Sequence, residues 1–385
     1  MLGGCTAKKQ EGAPTDNNLE RAQVTLDSLY RHYSAPGTNL LRENHPFDDK
    51  YTASYLASEE QAHIPNQYSY LWPYSGTLSA VSALLETTKD PKYITLIDER
   101  VLDGLENYFD RARTPHAYAS YINTAPQSDR FYDDNVWLGI DFTDLYLETG
   151  NPRYLEQAEL IWQFILSGMD SNLGGGIYWC EQKKGSKNTC SNAPGSVYAF
   201  KLFEATADST YFHQGTSLYN WTKSHLQDPE DGLYFDNIKM DGKIGKAKYA
   251  YNSGQMMQSA ALQYKLTNDA KFLEEAQRLA AACHAYFFSD YTTPEGDTFK
   301  LLKKGDVWFT AVMLRGFIEL YKLDGNSTYM QAFGKNLDYA WQHSRQENGL
   351  FNVDFNGRNK ETKKWLLTQA AMVEMYARMA SIYRY

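Results

Sequence analysis

Two aspartates stand side by side in Phe131-Tyr132-Asp133-Asp134-Asn135-Val136-Trp137. After them Val136, Trp137, Ile140, Leu145 and Leu147 recur at helical spacing, until Gly150-Asn151-Pro152 stops the pattern. Asp133 and Asp134 therefore belong at the mouth of an amphipathic helix. One role there is capping, because an Asp side chain accepts hydrogen bonds from free N–H groups of the first turn and suits the helix dipole. A pair can do more. Two carboxylates in one site repel, so one pKa rises and one acid ionises while its neighbour keeps its proton. That split supplies a nucleophile and a general acid, the two groups that glycoside hydrolysis requires.

What must hold such a pair is set first by size and composition. At 385 residues the chain is long enough for two domains or one large repetitive one. Its net charge of −9, with no basic stripe, argues against nucleic acid as a partner. The 30 Tyr, 18 Phe and 8 Trp fit a large core and also a carbohydrate cleft, where rings stack on sugar faces and polar tips bond hydroxyls. No apolar run reaches the length of a membrane span.

Cys5 in Leu2-Gly3-Gly4-Cys5 looks like the end of a bacterial lipobox, in which the Cys carries the lipid. On this reading residues 1–18 are a lipoprotein-type N-terminus and tether, and 19–385 one catalytic domain. The expected location is that of an exported bacterial lipoprotein, at the cell surface or in the periplasm. Cys180 and Cys190 lie ten apart in a polar loop, where an exported protein can bridge them. No zinc spacing is present.

A short phrase recurs: Asp90-Pro91-Lys92-Tyr93, Asn151-Pro152-Arg153-Tyr154, Asp208-Ser209-Thr210-Tyr211, Asp269-Ala270-Lys271-Phe272 and Asn326-Ser327-Thr328-Tyr329. Its aromatic recurs 61, 57, 61 and 57 residues apart. Asp or Asn makes an N-cap, and Pro next to it suits the first turn. Each phrase thus joins two helices. Leading helices are predicted near 75–88, 134–149, 195–207, 252–267, 306–323 and 365–383. Trailing helices are predicted near 91–109, 152–168, 209–225, 270–288 and 328–344, with a sixth near 19–33 that pairs with the last leading helix. Six closed pairs make an all-α fold, an (α/α)6 barrel, with the small-residue-rich leading helices inside.

Residues just before the inner helices then share one end of the barrel. They read Trp72-Pro73-Tyr74, Tyr132-Asp133-Asp134-Asn135, Ala193-Pro194-Gly195-Ser196, Tyr249-Ala250-Tyr251-Asn252, Asp306-Val307-Trp308 and Lys363-Lys364-Trp365, with Gly174-Gly175-Gly176-Ile177-Tyr178-Trp179 bringing another Trp to the rim. The candidate sugar contacts are Trp72, Tyr132, Trp179, Asp236, Tyr251, Asn252, Asp306 and Trp308. Each has a plain structural role too: core for Trp72 and Trp308, a turn for Asp236, caps for Asn252 and Asp306. His45, His63 and His116 lack ligand spacing, and Lys246 and Lys248 read as a solvated face.

At these residues the chain resembles glycoside hydrolase family 76, the α-1,6-mannanases, from about Leu19 to Tyr385. The carrying motifs are Asp133-Asp134 with Trp137, the Gly174–Trp179 loop, Leu233-Tyr234-Phe235-Asp236 and Tyr251-Asn252-Ser253-Gly254; Leu138 and Ser253 stand where members often carry Trp and Gln. The resemblance implies a retaining hydrolase of α-1,6-linked mannose, endo in type, with Asp133 as nucleophile and Asp134 as general acid/base. It implies no metal or other cofactor. The partner is then α-mannan, with the membrane reached only through a lipid on Cys5 and the chain a monomer. A Tyr or Asn is expected to keep Asp133 ionised, and a drier wall to keep Asp134 protonated. Two other readings compete. An epimerase on this barrel needs His pairs, and no His lies at an inner-helix mouth. A glycan-binding protein keeps the cleft without turnover.

Overall fold

The computed structural model describes residues 17–58 and 63–382, so Cys5 and its glycines lie outside the described residues. Six helices form an inner ring: α2 (Leu71–Thr88), α4 (Tyr132–Thr149), α6 (Thr189–Thr206), α8 (Ala250–Thr267), α10 (Val307–Asp324) and α12 (Leu366–Ile382). Each packs on the next, and α12 packs back on α2, which closes the ring. Outside them lie α1 (Asn18–Tyr33), α3 (91–106), α5 (Pro152–Ser167), α7 (Ser209–Leu226), α9 (Ala270–Phe287) and α11 (Thr328–His343). Helix α1 packs on α12, as the N-terminal pairing requires. The fold is an (α/α)6 barrel.

The recurring phrase works as its chemistry predicts. Asp90, Asn151, Asp208 and Asp269 each cap an outer helix by accepting the N–H two residues on, and Asn326 accepts that of Thr328. Outer helices bury one stripe: in α9 it comprises Ala276, Leu279, Ala280 and Cys283. Inner helices are buried on every side, as in α8 from Ala250 to Gln263. Such burial demands small contacts. A Cβ on Gly316 would lie 2.3 Å from the Gly254 carbonyl oxygen, so glycines let α8 and α10 touch by their backbones.

Several boundaries differ from the predicted ones, and α2 begins at Leu71, four residues before the expected start, so Trp72-Pro73-Tyr74 lies in its first turn. Helix α6 begins at Thr189, six residues before the expected start, and carries Pro194 inside it. Tertiary hydrogen bonds hold that first turn. Asn192 receives the Ile177 N–H at 2.6 Å and donates to the Asn188 carbonyl at 2.8 Å, and Thr189 bonds the Phe235 carbonyl. They offset the hydrogen bond that a proline forfeits. Ala193-Pro194-Gly195-Ser196 is therefore helix interior, and the mouth is Asn188-Thr189-Cys190. Outer helix α3 passes through a π-helical turn, Ile97–Val101.

At the mouth end the chain is tied across the barrel. Asn44–His45 pairs with Lys364–Trp365, and the Leu366 N–H bonds the Glu43 carbonyl at 2.9 Å. The opposite end holds a cavity of about 190 Å³, lined by Glu86, Asp141, Asp144, Lys201, Arg315, Lys322 and Arg378 among others. Its charges pair with one another: Lys201 with Asp144, Arg378 with Glu86. No aromatic face lines it.

Candidate active site

Helix α4 starts at Tyr132, so Asp133 and Asp134 occupy its first turn. The cap position is Phe131, which makes no side-chain capping bond. Buried contacts clamp the turn. The Tyr132 N–H bonds the Trp179 carbonyl at 2.9 Å, and Phe131 bridges Cys180 in a short antiparallel contact. Asn135 bonds both backbone groups of Tyr118 at 2.9 Å. Behind them the fully buried Arg130 guanidinium donates to Glu181 at 2.7 Å and to the Pro115 carbonyl at 2.8 Å. An unpaired cation there would be costly, so the pairing locks the loop to the helix mouth.

The pair faces a pocket of about 110 Å³ lined by Tyr55, Leu56, Tyr70, Trp72, Ser120, Phe131, Asp133, Asp134, Trp137, Trp179, Tyr251 and Trp308. Its wall is a continuous aromatic stack. Trp308 meets Trp137 edge-on at 4.9 Å, Trp72 meets Trp365 at 5.2 Å, and Tyr251 lies flat on Phe309 at 3.9 Å.

The two carboxyls differ electrostatically. Burial pushes Asp134 well above the usual carboxylate range, and the charge of Asp133 pushes it further. Burial also raises Asp133, but the Cys190 thiol and the Trp179 indole N–H oppose the rise, donating to Oδ2 at 3.4 Å and 3.3 Å. The amides of Asp133 and Asp134 turn toward the carboxylate without closing a bond to Oδ1. Asp133 is thus the carboxyl that ionises first, and Asp134 holds the proton. The groups that favour the Asp133 charge are a thiol, the first-turn amides and an indole, in place of the expected Tyr or Asn.

Of the predicted sugar contacts, Trp72, Trp179, Tyr251 and Trp308 line the pocket with the acids. The others are not part of its lining, although Asp236 is near enough to act on the Cys190 thiol and the Tyr251 hydroxyl. Tyr132 stacks on Phe164 of α5 at 4.6 Å, because a neighbour on a helix points about 100° away from Asp133. Asn252 is fully buried within α8 and does not cap it. Asp306 caps α10, accepting the Trp308 N–H at 2.8 Å. Asp236 is half-buried beside Asn237, which donates to it at 2.7 Å. Cys180 and Cys190 are free thiols, so the suggested bridge is not formed. Gly175 and Gly176 pack against Trp221, and the buried Lys187 ammonium bonds the Gly175 carbonyl at 2.6 Å.

Sequence reasoning did not single out Glu43, Tyr55 or Tyr70. The Glu43 carboxylate, 3% exposed, accepts from the Tyr55 hydroxyl at 2.7 Å, the Tyr70 N–H at 3.0 Å, Asn66 at 3.1 Å and the Trp365 indole at 3.3 Å. It is the hub that holds one wall of the pocket. An acid followed by Tyr-rich loop segments was the available signal, and no periodicity marked it.

The family model for glycosyl hydrolase family 76 matches residues 45–298. This chain belongs to glycosyl hydrolase family 76. A family 76 glycoside hydrolase (mannosidase) from Bacteroides thetaiotaomicron VPI-5482 superposes with a TM-score of 0.86 at 34% identity, over 96% of this chain and 99% of that one. An inactive variant of an α-1,6-mannanase from Salegentibacter sp. HEL1_6, with two aspartates changed to asparagine and α-1,6-mannotriose bound, shares the fold at 24% identity and a TM-score of 0.75, over 94% and 99% of the chains. The meiotically up-regulated gene 191 protein of Schizosaccharomyces pombe is 28% identical over 196 residues, 47% of this family 76 chain and 44% of the curated relative's length.

Proposed function

We propose that this family 76 chain is a retaining glycoside hydrolase that cleaves α-1,6-mannosidic bonds within mannan. The observation that carries the reading is the split between two adjacent carboxyls facing an aromatic pocket, Asp133 the readier to ionise and Asp134 the protonated partner. The α-1,6-mannotriose held by the Salegentibacter relative supports the linkage.

In the first step the Asp133 carboxylate attacks the anomeric carbon. The bond from that carbon to the glycosidic oxygen breaks, and the Asp134 proton passes to the leaving oxygen. A glycosyl-enzyme ester remains. Asp134, now ionised, takes a proton from water, the water oxygen attacks the same carbon, and the Asp133 carboxylate is released. Two displacements at one carbon retain its configuration. The low-dielectric wall strengthens the charge changes at both acids, and the Trp and Tyr faces bind the sugar rings.

Linear α-1,6-mannan is the deciding substrate. Large fragments should appear before mannose, the first product anomer should be α, and Asp133→Asn or Asp134→Asn should abolish cleavage while binding persists. A protein that retains mannan without releasing reducing ends is a binding protein, and a β first product refutes retention.

A further inference from the structure

Cys190 is the second residue of α6 and is 3% exposed. Its thiol donates to Oδ2 of Asp133 at 3.4 Å, and the Tyr251 hydroxyl lies against the same sulfur. The other donor to that oxygen is the Trp179 indole. Oδ1 of Asp133 is buried with no hydrogen-bond partner. One carboxylate oxygen is therefore held from two separate segments, and the other is buried beside the first-turn amides.

We propose that Cys190 is a positioning residue, whose thiol pins Oδ2 of Asp133 so that the carboxylate stays charged and keeps one orientation at the pocket. This rests on the reading of Asp133 as nucleophile. The choice of donor has a chemical reason. A cation bonded to Oδ2 would draw charge from the carboxylate and blunt its attack, and its pull would persist in the ester intermediate. A thiol is a weak neutral donor, strengthened by the dry surroundings. It stabilises the anion without neutralising it. The titratable groups facing this pair are Asp134 on α4, Cys180 from the loop behind it, Asp236 from the loop before α8, and Tyr249 and Tyr251 at the start of α8. None is a cation. Burial holds the Cys190 thiol protonated far above neutral pH, so the S–H donor persists and the sulfur does not compete as a nucleophile.

The test compares Cys190→Ala with Cys190→Ser, which leave nearly the same space and differ by one hydroxyl. The acid limb of kcat/KM against pH, measured on linear α-1,6-mannan, reports the ionisation of the nucleophile in the free enzyme. Losing the donor costs the charged form and raises its pKa, so the limb should move up by about one pH unit in the Ala variant. The Ser variant should stay within half that shift. Should Ala unfold the protein, Cys190→Val fills the space without a donor and carries the same expectation. Coincident Ala and Ser profiles, with Asp133→Asn inactive, overturn the thiol's role and leave the nucleophile assignment standing. An active Asp133→Asn overturns both.

Discussion

Glu43→Gln tests the wall of the pocket through stability. Burial lifts the Glu43 carboxyl from 4.5 to about 7, against the pull of its bonds from Tyr55, the Tyr70 amide, Trp365 and Tyr51. A carboxyl raised on folding is easiest to bury protonated. Its contribution is intact below the unfolded pKa and is lost as pH climbs from 4.5 through about 7. The difference of about 2.5 pH units corresponds to about 3 kcal/mol. Glutamine cannot ionise, so the variant escapes this loss. It incurs another: an amide NH₂ cannot accept, and one of the donors at Tyr70, Asn66 or Trp365 loses its partner, at a pH-independent cost of about 1–3 kcal/mol. The variant should therefore be the weaker protein at pH 5, and should gain about 3 kcal/mol relative to the unaltered protein by pH 8. Urea midpoints of both proteins at the two pH values measure this directly. A stability gap that is the same at pH 5 and pH 8 would refute the burial argument for Glu43.

Three further perturbations separate fold from site. Glu374→Gln breaks a buried network in which Glu374 accepts from Arg315 at 2.6 Å and Arg378 at 2.8 Å, and should cost about 3–5 kcal/mol in thermal or urea unfolding. Burial raises the Glu374 carboxyl, but Arg315 and Arg378 pull it down to about 2, so this stabilisation is present above pH 4.5, fades as pH falls toward 2, and is absent from the variant at any pH. Gly176→Ala puts a Cβ at φ +80° and 2.7 Å from the Trp221 ring, and should destabilise by about 1–3 kcal/mol while the pH profile of hydrolysis stays unchanged. Asp306→Ala removes the cap beneath Trp308 and should cost about 1 kcal/mol with a lower kcat/KM, whereas Asp306→Asn should retain most of both.

The barrel was readable because its signals are local. An Asp or Asn two residues before a free N–H caps a helix wherever it occurs, so Asp90, Asn151, Asp208 and Asp269 marked outer helices without tertiary knowledge. The stripe of α9 and the all-round burial of α8 follow from spacing along one chain. The adjacency of Asp133 and Asp134, and their place in a first turn, is likewise a matter of covalent order.

The environment of that pair was not readable, because it is built from residues far apart in sequence. Pro194 hid the true start of α6, and with it the position of Cys190 against Asp133, until a hydrogen bond from the Ile177 N–H and one to the Phe235 carbonyl held the first turn. Glu43 gathers donors from Tyr55, Asn66, Tyr70 and Trp365 only after the chain closes on itself. Tyr132 and Asn252, neighbours of site residues in the chain, turn away from the pocket because successive side chains on a helix diverge by about 100°. By itself the sequence determined the helices, their caps and their order, since each depends on contacts within a few residues. Ring closure decided the rest: which carboxyl is driest, which donors reach it and which aromatic faces meet around it, since desolvation and hydrogen bonding act through space.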